Sequence, residues 1–116
     1  MRKGEFHLCR GAWVGDYNDP NTFLEMLIGG NELNVANWND AEYDRLLGLA
    51  AKETDGVRRF GYFQLAEARL IEQAPVLPVV FNKNKFLIRP EVQGWYPTLL
   101  DQHPFTAVKL VPVKRD

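Results

Sequence analysis

The sequence contains no serine, one cysteine and two histidines. Without serine, a Ser-His-Asp nucleophile is impossible. Cys9 alone can form no intrachain disulfide and no Cys-rich zinc site. It falls in an apolar alternation, which suits a small buried hydrophobe. His7 and His103 are far apart in the chain and lack the spacing of a zinc-protease helix, so no metal site is expected. Charge of one sign is missing too: 14 Lys and Arg stand against 15 Asp and Glu, for a net charge of −1. Nucleic-acid binders carry a clustered basic face. The nearest run here, Lys83, Lys85 and Arg89, reads as a solvated strand edge, so no nucleic-acid partner is expected. No apolar run approaches the ~20 residues of a membrane span. Residues 1–4 are basic, but no apolar segment or small-residue cleavage site follows, so no export signal is expected within this sequence.

What is present is globular in character. The chain has 116 residues, 46% of them hydrophobic and 25% charged, enough for one modest core. Residues 5–14 read as a strand. Phe6, Leu8, Arg10, Ala12 and Val14 share one face, and His7, Cys9, Gly11 and Trp13 share the other. Neither face is cleanly polar, which suits a strand covered on both sides. Asp19-Pro20 signals a helix start, with Asp as N-cap and Pro at the first helical position. That helix carries Phe23, Leu24, Leu27 and Ile28 and ends at Gly29-Gly30. A polar loop over 31–39 follows. Asn39 and Glu42 resemble a capping box, behind which Tyr43, Leu46, Leu47 and Ala50 keep the spacing of a helix face.

Thr54-Asp55-Gly56 interrupts the pattern. A longer helix then runs to Ala74, with Phe60, Phe63, Ala66 and Leu70 as its buried stripe. Arg59, Glu67, Arg69 and Glu72 fall on its exposed side, and Pro75 stops it. Residues 76–81 form an apolar, β-branched run that reads as a buried strand, with Pro78 implying an edge or irregular pairing. Residues 86–89 look like a further extended piece, 90–104 are turn-rich and aromatic, and 108–113 are a last candidate strand. Strand, three helices, then strands is an α/β or α+β order.

The most unusual stretch is residues 10–20. Arg10, Trp13, Asp16, Tyr17 and Asp19 fall at a strand end and in the loop after it, where ligands bind in α/β sheets. Trp13 offers a rigid apolar wall with one N–H donor. Asp16, an acceptor-only group, suits an ammonium ion, and Gly15 permits close approach. The competing structural reading makes Asp19 a cap, Trp13 core and Asp16 an Asx-turn residue. Asp19 fits the cap; for Trp13 and Asp16 both readings stand. No base or nucleophile accompanies the two carboxylates, so no enzyme is expected.

Gly11-x-Trp13-x-Gly15-Asp16-Tyr17-x-Asp19-Pro20-x-x-Phe23-Leu24 resembles the C-terminal region of the solute-binding proteins of oligopeptide and dipeptide transporters of the ATP-binding-cassette class. Asn34-x-x-Asn37-Trp38 and Tyr43-Asp44-x-Leu46-Leu47 are similar to the family's next loop and helix. Arg59-x-x-x-Phe63-x-x-Ala66-Glu67-x-x-Leu70-Ile71 resembles its long helix, and Ala74-Pro75-Val76-Leu77-Pro78-Val79 its following strand. Val92-x-Gly94-Trp95 is similar to the place where the family's chain leaves one lobe for the other.

The resemblance implies an α/β, two-lobed periplasmic-binding-protein fold, of which this chain supplies an incomplete lobe. Residues 1–93 would belong to the peptide-binding lobe, and 94–116 to a tail returning to the other. It also implies a receptor that closes on a short peptide, held mainly through its backbone as an added strand. Asp16 takes the position that pairs with the peptide's α-ammonium. Ala12, Trp13, Val14 and Gly15 lie along the ligand, and Arg10 falls where the family can meet a short peptide's carboxylate. Asn82 falls at a ligand-lining position often held by Tyr, a departure from the pattern. The implied partners are short peptides and the membrane permease of the importer, outside the cytoplasm, with no cofactor. The alternative is a stand-alone interaction module, or a remnant that binds nothing, on the same scaffold. Self-association through open strand edges is expected on either reading.

Overall fold

The computed structural model describes residues 6–98 and 100–112. Residues 1–5 and 113–116, which hold the basic start and the ends of two expected strands, lie outside the described residues. The chain divides into two compact units, Met1–Pro78 and Val79–Asp116.

The first unit is built on three helices. α1 spans Asn21–Leu24 and continues as a 3₁₀ turn over Glu25–Leu27. α2 spans Ala41–Lys52 and α3 spans Gly56–Gln73. The helix starts follow from side-chain caps. The Asp19 carboxylate accepts the Asn21 N–H at 2.9 Å, with Pro20 in helical conformation between them, as the Asp-Pro pair predicts. Asp40 accepts the Tyr43 N–H at 2.8 Å, and Asp55 the Arg58 N–H at 2.8 Å. The cap of α2 is therefore Asp40, one residue beyond the expected Asn39. α3 ends at Ala74, which is left-handed at φ 50° and directly precedes Pro75.

α2 packs on α3, and α1 also meets α3. The core is Leu24, Leu27, Tyr43, Leu46, Leu47, Ala50, Phe63, Ala66 and Leu70. The face expected for α2 is buried in full. On α3, Phe63, Ala66 and Leu70 are buried, but Phe60 is 53% exposed. On α1, Phe23 is exposed as well, while Ile28, just past the 3₁₀ turn, is half-buried against the core.

Polar groups tie the loop over 28–39 to this core. Buried Asn34 donates to the carbonyls of Leu27, Ile28 and Trp38, and its Oδ1 accepts the Trp38 N–H. The fully buried Tyr43 donates its hydroxyl to the Leu24 carbonyl at 2.6 Å. Burial pushes that phenol's pKa well up, so it remains a donor. The ring of Trp38 meets Tyr43 edge-on at 4.9 Å.

The expected strands mostly do not form. Residues 6–14 have no ladder, and neither do 76–81 or 86–89. Cys9 is half-buried, whereas Leu8 is 86% exposed. A strand closes its backbone hydrogen bonds only on a neighbouring strand, and among the described residues none lies beside these segments. Of the expected strand over 108–113, only β2, Lys109–Leu110, is formed. It pairs antiparallel with β1, Val92–Gln93, inside the stretch read as turns.

The second unit is organised around that short ladder. Gly94 follows β1 with φ 79°, and a methyl group there would run into the Ala107 carbonyl, so only glycine fits. The Trp95 and His103 rings stack at 4.4 Å, with Phe86 tilted on Trp95 at 4.4 Å.

Candidate functional site

Residues 10–16 lead into the turn that opens α1. Ala12, Val14 and Asp16 are exposed, Gly15 is half-buried, and Trp13 is 36% exposed. Trp13 is therefore partly exposed and lies outside the buried core. Among the described residues, no backbone group of 10–15 takes a hydrogen bond within the protein. These N–H and C=O groups form an open row. Arg10 is also exposed in this row. A Cβ on Gly15 would sit 3.1 Å from both Phe23 Cζ and Thr22 Cγ2, so glycine lets the chain lie close on α1.

The turn beyond this row is held at almost every residue. The Asp16 N–H donates to the hydroxyl of buried Thr22 at 3.0 Å. Tyr17 donates its hydroxyl to Glu25 at 2.6 Å and accepts from Asn21 at 2.9 Å. Partial burial, then the Glu25 carboxylate beside it, raises the Tyr17 pKa. Asp19 caps α1 and also takes a bidentate ion pair from Arg59 of α3, at 2.6 and 3.0 Å. That guanidinium holds the Asp19 carboxyl below its usual range. Amid these contacts the Asp16 carboxylate points to solvent with no hydrogen-bond or ion-pair partner among the described residues.

Six of the seven expected site residues, Arg10, Ala12, Trp13, Val14, Gly15 and Asp16, share this one segment. The seventh, Asn82, belongs to the second unit and is exposed there. Sequence reading missed Thr22 and Arg59 as supports of the segment. Periodicity put Arg59 on the outer face of α3, and nothing in the spacing linked it to Asp19, 40 positions away. A shallow depression along α3, lined by Arg58, Gly61, Tyr62, Gln64 and Leu65, shares no residue with the segment. Open to solvent and lacking carboxylates, it offers little to an ammonium ion.

The fold of this chain is that of part of a periplasmic binding protein. The structure matches that of the Escherichia coli murein tripeptide-binding protein MppA with a TM-score of 0.87 and 33% identity, over 97% of this chain and 22% of that one. In sequence, the chain is 38% identical over 92 residues to the periplasmic murein peptide-binding protein MppA of Escherichia coli strain K12, covering 79% of this chain and 17% of the relative. It is 38% identical over 94 residues to the probable deoxycholate-binding periplasmic protein YgiS of the same strain, covering 81% and 18%. No family model matches. The chain is thus homologous to a part of the periplasmic oligopeptide- and dipeptide-binding proteins, and it spans about a fifth of the length of the relatives it matches.

Proposed function

We propose that this chain is part of the substrate-binding component of a peptide importer of the ATP-binding-cassette class, working outside the cytoplasm. It binds rather than catalyses. Residues 1–93 supply one wall of a cleft that closes on a short peptide, and 94–116 return toward the opposing lobe. The peptide's main chain pairs with residues 10–15 as an added strand, which makes affinity nearly independent of side-chain identity. Asp16 receives the α-ammonium, Trp13 flanks the ligand, and Arg10 meets the carboxylate of a short peptide. The family resemblance gives Asn82 a ligand-lining role, and the membrane permease is the downstream partner.

One observation carries this reading. Among the described residues, an unpaired carboxylate ends a run of unpaired backbone groups, while the turn behind it is fixed. Closing the cleft removes water, so the ion pair strengthens, although desolvation offsets part of the gain. Asp16→Ala should weaken binding of a free-amine tripeptide by roughly 2–5 kcal/mol, read by calorimetry. Equal affinity in the variant removes Asp16 as anchor.

A second reading, an interaction module that self-associates through open edges, is favoured by the exposed run Val79, Val80 and Phe81, at 88%, 75% and 94% exposure. A concentration-independent monomer in sedimentation would exclude it.

A further inference from the structure

The geometry points to Arg59 as a positioning residue for Asp16, acting through Asp19; this rests on the peptide-binding reading above. Arg59 is itself located by the core, because its guanidinium lies 4.6 Å from the ring centre of buried Phe63. From there it holds both oxygens of Asp19 at 2.6 and 3.0 Å. Bidentate pairing fixes orientation as well as distance. Asp19 in turn fixes the start of α1 through the Asn21 N–H and sets the near end of the turn.

The other end is set by Thr22, one residue into that helix, whose buried hydroxyl accepts the Asp16 N–H. The Asp16 backbone therefore hangs on an α1 whose first turn is locked to α3 by Arg59. Tyr17, Asn21 and Glu25 close a second set of bonds across the same turn. The Asp16 carboxylate is left projecting from a braced backbone. An acceptor held in place before the ligand arrives loses little freedom on binding, which favours a free α-ammonium over a blocked amine.

The test uses the chain itself with Arg59→Met, which keeps an unbranched side chain and removes the charge, and Asp19→Asn, which keeps a cap acceptor without the charge. Two readouts are taken: exchange of the Asp16 amide by NMR, and titration with trialanine and N-acetyl-trialanine. Both variants should exchange the Asp16 amide at least about tenfold faster, with α3 amides unchanged. Both should lose about tenfold in affinity for trialanine and little for the acetylated form, and the double variant should be no worse than either single one. Unchanged Asp16 exchange, or faster exchange with undiminished preference for the free amine, overturns the assignment. Should one variant lose its helical signal, the other decides. If the unsubstituted chain binds neither peptide, the peptide-binding reading fails, and the exchange data still decide whether Arg59 positions Asp16.

Discussion

Within the first unit, the helices and the segment over 6–16 have similar apolar content and opposite fates. Tyr43, Ala50 and Ala66 are fully buried, whereas Leu8 and Val14 are 86% and 66% exposed. A helix satisfies its backbone internally and needs only one apolar face covered. A strand needs another chain at its edge. The helical part closes its own backbone hydrogen bonds, while among the described residues the backbone groups of 10–15 are left open. On the proposed reading, the same contrast separates structure from recognition: the helices and their caps brace Asp16, and the open backbone is where a peptide adds.

Breaking the helical side should have the largest effect. Phe63→Ala should cost about 3–5 kcal/mol of unfolding free energy, whereas Leu8→Ala should stay within about 0.5 kcal/mol, both by urea titration. Equal costs would mean that 6–16 is as deeply embedded as the core. Asn34→Ala comes next, at about 1–3 kcal/mol, because it removes the partner of the buried Leu27 carbonyl and of the half-buried Trp38 carbonyl and N–H. Tyr43→Phe keeps the ring and loses the hydroxyl bond to Leu24, for about 1 kcal/mol.

The smallest effect concerns acid. Arg69 meets Asp40 at 2.6 and 2.7 Å. With the Tyr43 N–H as a second donor, this lowers the Asp40 pKa from 3.8 to about 2. A folded-state pKa below the unfolded one means that the ionised form favours the fold. Its contribution is complete above about pH 4 and fades as pH falls toward about 2. Arg69→Met should flatten this part of the acid-unfolding curve and leave the neutral-pH helical spectrum intact. An unchanged acid profile would mean that the Arg69 pair does not set the shift.

The helices were legible because a 3.6-residue period and a cap are local properties. Tyr43, Leu46, Leu47 and Ala50 needed no tertiary information. The box rule points to Asn39, because a box pairs positions three apart and Asn39 to Glu42 satisfies it. Asp40 prevails because an ionised carboxylate can accept the Tyr43 N–H and the Arg69 fork together. Phe60 fits the stripe by spacing but lies near the N-terminal end of α3 and is 53% exposed. The strands were misread for a different reason. Alternation over 5–14 and β-branching over 76–81 register a preference for extended structure, but a ladder is a property of two segments, and periodicity says nothing of the second.

For the site, the residues later found in one open segment could be named from the motif around Gly15-Asp16. The Arg59–Asp19 clamp could not, because a long-range ion pair leaves no mark in local spacing. The resemblance to peptide-binding receptors was itself carried by scattered short motifs in order, and the relatives share that ancestry over roughly four fifths of the chain.

The most direct test of the contrast between braced helices and open segment is a residue-resolved NMR titration with trialanine. The account predicts saturable shifts concentrated at Ala12, Trp13, Val14, Gly15 and Asp16, with the amides of α2 and the buried face of α3 unmoved. Shifts confined to the α3 depression around Tyr62 and Leu65, or none at millimolar peptide, would contradict it.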